Sequence, residues 1–98
     1  MYTIDGTYGT PNASKYLQQL CKHFAHKVEV SFDEQWGSVA FPFGKAELSA
    51  DAAALRIRMN VDREDALEKA RDVIDRHLER FAFREAFSGM DWAEPVPA

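Results

Sequence analysis

The hydrophobic period changes twice along this chain, from about 3.6 residues to 2 and back to 3.6, and that alternation limits the folds open to it. Ala13, Leu17, Leu20 and Phe24 share one stripe, with Tyr16 and Cys21 on its flanks. This predicts an amphipathic helix entered at Thr10-Pro11 and ending near Ala25. Pro11 at the first helical position sacrifices no hydrogen bond, and either Thr10 or Asn12 offers a capping oxygen. Val28, Val30 and Phe32 then alternate with Lys27, Glu29 and Ser31, and Ser38 to Phe41 reads as a second strand stopped by Pro42. Ala46, Leu48 and Ala50 mark a third strand. Leu55, Ile57, Met59 and Val61 mark a fourth, with Arg56 and Arg58 turned outward to meet Glu47 or Glu29 across the ladder. Asp62 reads as the N-cap of a second helix, whose stripe runs through Ala66, Leu67, Ala70, Val73, Ile74, His77, Leu78 and Phe81.

The expected class is α+β: a two-layer sandwich in which a four-stranded antiparallel meander is covered on one face by two helices, in the order α-β-β-β-β-α. Residues 1–98 form a single domain, with 1–9 a loose N-terminal arm or short edge strand and 89–98 a C-terminal tail broken by Gly89, Pro95 and Pro97. At this length the chain has no room for separate cofactor and substrate domains. Its 16 acidic against 12 basic side chains give a net charge of −4, which argues against nucleic acid as a partner. No apolar run approaches the roughly 20 residues of a membrane span. A lone cysteine, Cys21, cannot form an internal disulfide, and no cationic leader precedes an apolar segment, so a cytoplasmic location is expected.

Potentially reactive groups cluster in two places. In Leu20 to Lys27, His23 and His26 lie within about 60° of one another on a continuing helix, a half-site that His77 could complete for zinc, nickel or iron. The plainer account is that these imidazoles sit at a helix C-terminus, where a positive charge meets free carbonyls. Cys21 flanks the apolar stripe and reads as a small hydrophobe rather than a nucleophile. In His77 to Glu85, Arg76, Arg80 and Arg84 recur every four residues, a positive ridge beside Phe81 and Phe83 if the helix persists. Such a ridge could hold a carboxylate, a phosphate or a planar ligand.

The run from Tyr16-Leu17 through Leu20-Cys21-Lys22-His23-Phe24-Ala25-His26-Lys27, the turn Phe41-Pro42-Phe43-Gly44, and His77 to Glu85 with Trp92 together resemble a small bacterial family, domain of unknown function 2218. The resemblance spans nearly the whole chain. Members stand beside, or are fused to, siderophore-interacting flavoproteins, which implies a place near ferric-siderophore reduction or iron handling. The resemblance assigns no activity and no cofactor.

The reading that follows is a non-enzymatic accessory module. Its candidate ligand-binding residues are His23, His26, His77, Arg80, Phe81 and Arg84, and its expected partner is an anionic small molecule or a siderophore-interacting flavoprotein. Two alternatives stand beside it: a metal-binding enzyme or sensor using His23, His26 and His77, and a structural homodimer contacting through Trp36, Trp92 and Phe87. The first reading requires residues some 50 positions apart to meet in space.

Overall fold

The computed structural model describes residues 1–97 and has a radius of gyration of 12.4 Å. Its elements are β1 (Tyr2–Gly9), α1 (Ala13–Phe24), β2 (Val30–Phe32), β3 (Trp36–Phe41), β4 (Gly44–Ala50), β5 (Ala54–Val61), α2 (Leu67–Phe81), β6 (Asp91–Trp92) and β7 (Val96–Pro97). Short 3₁₀ turns at Glu64–Ala66 and Phe83–Glu85 flank α2. The predicted meander β2-β3-β4-β5 is present, antiparallel throughout. Both helices contribute buried residues to the core beneath the sheet: Leu17, Leu20 and Phe24 from α1, Ile74 and Leu78 from α2. Against them pack the inward residues of β4 and β5, Ala46, Leu48, Leu55, Ile57, Met59 and Val61, as their alternation requires.

The sheet is larger than four strands: the segment expected as a loose arm or short edge strand is a full interior strand, and the expected C-terminal tail adds two short strands beside it. Tyr2–Gly9 pairs along its whole length with β5, and β6 and β7 pair with its other edge. Residues 1–9 do carry a period of two, with Tyr2, Ile4 and Tyr8 on one side and Thr3, Asp5 and Thr7 on the other. Gly6 interrupts it because the Trp92 ring fills the place of a side chain: a Cβ at Gly6 would lie 2.6 Å from Trp92 Cζ3. Arg58 consequently pairs with Asp5 of β1 at 2.8 Å rather than with Glu47 or Glu29, and Arg56 turns to Asp51 at 2.7 Å. Gly37 is likewise small because the sulfur of Cys21 packs on it, 2.7 Å from where its Cβ would stand.

Both helix entrances differ in part from the expected caps. α1 begins at Ala13 with Asn12 as its N-cap, whose side chain bonds to Glu85 and makes no cap bond. The Thr10 hydroxyl accepts the Asn12 N–H at 3.1 Å, as expected, and donates to Glu85. At the second entrance β5 runs on to Val61, and the Asp62 N–H donates to the Phe43 carbonyl, so the helical turns start after an extended Arg63. Aspartates do hold two hairpin turns. Asp33 accepts the N–H groups of Gln35 and Trp36, and Asp51 those of Ala53 and Ala54.

Gly44 opens β4 at φ 150°, and a Cβ there would lie 1.7 Å from the Asn60 carbonyl oxygen. Both the backbone conformation and the space demand glycine. Gly44→Ala is expected to cost about 3 kcal/mol or more, measured as a lowered urea midpoint with unchanged slope.

Candidate functional site

α2 passes α1 in the opposite direction, so that His77 meets His23 near the end of α1 and Glu85 meets Tyr16 near its start. Residues far apart in sequence thus form one continuous surface along the helix pair. At one end lies an imidazole–aromatic cluster. The His23 and His77 rings are 4.5 Å apart between centroids, with their Nε2 atoms 3.0 Å apart. Phe24 sits edge-on to His77 at 4.9 Å and to Phe41 at 4.9 Å, and Phe41 stacks on Phe43 at 5.0 Å. Phe81 lies 6.2 Å from His23. Burial, followed by the neighbouring His77, Lys27, Arg80 and His26, lowers the His23 pKa below its ordinary value.

Phe81 joins this cluster to a cleft of about 460 Å³ between the first turns of α1 and the end of α2. Lys15, Gln19, Arg80, Phe83 and Arg84 line it, with Tyr16 and Glu85. Among the described residues neither Arg80 nor Arg84 forms an ion pair, whereas Arg76 is held by Asp72 at 3.0 Å. The anticipated three-arginine ridge is therefore broken. α2 ends at Phe81, and the tighter 3₁₀ turn carries Arg84, whose guanidinium lies 5.6 Å from the Phe83 ring centroid. The side-chain oxygen of Gln19 is buried without a hydrogen-bond partner, an unusual state for a polar atom and one that a donor entering the cleft would relieve.

Glu85 was not anticipated by the sequence reading, although it organises the cleft. Its carboxylate accepts hydrogen bonds from Tyr8 Oη at 2.6 Å, Thr10 Oγ1 at 2.8 Å, Asn12 Nδ2 at 2.8 Å, and from the Tyr16 hydroxyl. These donors, led by Tyr16 and Tyr8, hold its pKa at about 2. Burial first, and then Glu85, pushes the Tyr16 phenol up to about 12. The only sequence signal available was the concentration of polar hydrogen-bond donors around Tyr8 to Tyr16.

The other expected residues separate. α1 ends at Phe24 and the chain tightens, with the His26 N–H donating to the His23 carbonyl. Among the described residues His26 makes no ring contact with His23, whose ring neighbours are Phe24, His77 and Phe81. Among the described residues no three His, Cys, Asp or Glu side chains are grouped to hold a metal ion, so the expected three-histidine set reduces to the pair His23–His77. Cys21 is buried and its thiol is pushed up to about 11 by that burial, as suits a core residue. Trp92 and Phe87, expected at an exposed contact, pack inward. Trp92 Nε1 donates to Asp75 at 3.0 Å, and Phe87 meets Tyr8 edge-on at 4.8 Å. Trp36 remains 43% exposed.

The profile of a bacterial family described as "Uncharacterized protein conserved in bacteria (DUF2218)" matches residues 6–93. The chain belongs to this family. It is also similar to the solution structure "NMR structure of PA4090 from Pseudomonas aeruginosa", at 30% identity and a TM-score of 0.76, over 100% of this chain and 98% of that one. No curated protein matches. The matched family segment includes both the histidine pair and the cleft, and no helix of the described residues is long and apolar enough to cross a membrane.

Glu85 binds fewer protons in the folded than in the unfolded chain. Its contribution to stability is complete above its ordinary pKa of 4.5 and is lost as pH falls toward about 2. Glu85→Gln is expected to lower stability at pH 7 by roughly 2 kcal/mol. It should also flatten the pH dependence of the denaturation midpoint between pH 4.5 and 2, followed by circular dichroism.

Proposed function

We propose that this protein is a non-enzymatic binding module whose cleft between α1 and the end of α2 receives an anionic small molecule. The observation that carries this reading is the pair of guanidiniums, Arg80 and Arg84, without ion-pair partners among the described residues, beside Lys15 on the rim of the cleft. Charge-assisted hydrogen bonds from these cations suit carboxylate or catecholate groups. Phe81 and Phe83 supply apolar walls. The groove of about 390 Å³ on the outer sheet face has less to offer a charged ligand, because Arg58 and Arg56 there are already bound to Asp5 and Asp51.

The setting we propose is iron handling in the bacterial cytoplasm, with a ferric-siderophore complex or a siderophore-interacting flavoprotein as the counterpart. The family resemblance supports this setting, and the cleft chemistry is compatible with it. Cys21 is sealed in the core, away from the exposed side chains of the cleft, and the Tyr16 phenol bonded to Glu85 is pushed up to about 12, away from the phenolate a nucleophile would need.

A ligand that binds only the folded protein raises its melting temperature. Screening ferric siderophores by thermal shift should identify carboxylate- or catecholate-bearing ligands that stabilise the wild type. Arg80→Ala, an exposed substitution, should weaken their binding roughly 10- to 100-fold while leaving the unliganded melting temperature within about 2 °C. Unchanged affinity in Arg80→Ala would overturn the assignment.

A further inference from the structure

The His23–His77 pair has a geometry that ordinary helix packing does not require. His77 Nδ1 lies 2.5 Å from the Val73 carbonyl oxygen. A carbonyl oxygen can only accept, so Nδ1 carries the hydrogen and the neutral ring presents a lone pair at Nε2. That lone pair faces His23 Nε2 at 3.0 Å, which must then donate to it. Fixing one ring nitrogen by a backbone carbonyl while the other is left to coordinate is how proteins orient histidines that bind metals. His23 is exposed, so solvent reaches its ring. Its hydrogen can move from Nε2 to Nδ1 through solvent, with no net proton gained or lost, and two nitrogen lone pairs then converge.

The spacing selects a coordination geometry. Metal–imidazole bonds of about 2.0–2.1 Å at a right angle place the two nitrogens roughly 2.8–3.0 Å apart, whereas a tetrahedral angle places them about 3.3–3.4 Å apart. The observed 3.0 Å fits two adjacent positions of a square-planar or octahedral ion, the preference of Cu(II) and Ni(II). The charges around the pair select further. Lys27, Arg80 and His26 all bear on His23 and oppose a bare dication. A metal that already carries carboxylates and has net negative charge meets attraction instead, both from these groups and from Lys15 and Arg84 in the adjoining cleft.

We propose that His23 and His77 form a two-imidazole receptor for an anionic metal chelate, supplying their Nε2 atoms to two adjacent vacant positions while the cationic cleft holds the chelating carboxylates. The second half of this rests on the binding-module reading above, and the first half does not. The probe is nickel(II) nitrilotriacetate, a singly negative complex with two adjacent exchangeable positions, titrated calorimetrically into untagged protein and compared with nickel(II) alone. The expected result is one-to-one binding of the chelate in the micromolar range. His23→Ala and His77→Ala should each weaken it at least tenfold, and His26→Ala should leave it within about twofold. Arg80→Ala should weaken the chelate several-fold and leave bare nickel unaffected or tighter. His23 is exposed, so its substitution reads out even if His77→Ala fails to fold. Undiminished binding in His23→Ala, dependence on His26, or no binding at all overturns the two-imidazole site and leaves the binding-module reading standing. Equal affinity for chelate and bare ion, with Arg80→Ala silent, overturns the anionic half and counts against that reading.

Discussion

Four donors converge on the carboxylate of Glu85, from β1, from the α1 entrance and from α1 itself, and the placement of everything after α2 depends on them. Tyr8, Thr10, Asn12 and Tyr16 belong to the N-terminal part of the chain, and Glu85 to the turn that closes the second helix. A carboxylate withdrawn from water is costly unless its lone pairs are filled, and here all four bonds are charge-assisted. Beyond Glu85, Ala86 adopts the left-handed conformation at φ 54°, and Phe87 comes back against Tyr8. Asp75 of α2 then receives the Met90 N–H and the Trp92 indole, which guides the chain onto the free edge of β1.

The same clasp creates the site. Glu85 is tied to the start of α1, and Arg80, Phe81 and Arg84 line the cleft together with Lys15 and Gln19. The opposite end of the helix pair is filled by rings from three elements: His23 and Phe24 of α1, His77 and Phe81 of α2, and Phe41 with Phe43 at the β3–β4 turn. Charge is distributed unevenly between the two layers. The outer face of the sheet neutralises its arginines locally, while the helix layer retains cations with nothing opposite them, although the chain as a whole is acidic.

Much of the architecture was legible because half-buried elements write their period into the sequence. Leu55, Ile57, Met59 and Val61 alternate with polar residues, and Leu17, Leu20 and Phe24 recur at helical spacing, since each faces the core on one side and water on the other. β1 reads only as a loose arm or short edge strand because Gly6 breaks its pattern, and the reason for that glycine is a tryptophan 86 positions later. The entrances of both helices misled for a related reason. Asn12 and Asp62 have the right chemistry for caps, but the Asn12 amide is bound to Glu85, and β5 extends to Val61 with the Asp62 N–H paired to Phe43, so the helical turns begin beyond Asp62. Thr10 alone does as expected, accepting the Asn12 N–H. α1 ends at Phe24, two residues before His26, and the ring that meets His23 across the helix pair is His77.

By itself the sequence determined the two helices, the four strands of the meander, and the two segments that carry imidazoles, arginines and aromatic rings, because these follow from interactions between near neighbours. Only the tertiary structure decided that β1 is an interior strand, that Glu85 is the carboxylate on which the ends of the chain close, and that His23 meets His77 and not His26. Those outcomes depend on contacts between residues 45 to 95 positions apart, set by how two layers share one core, and no local pattern encodes them.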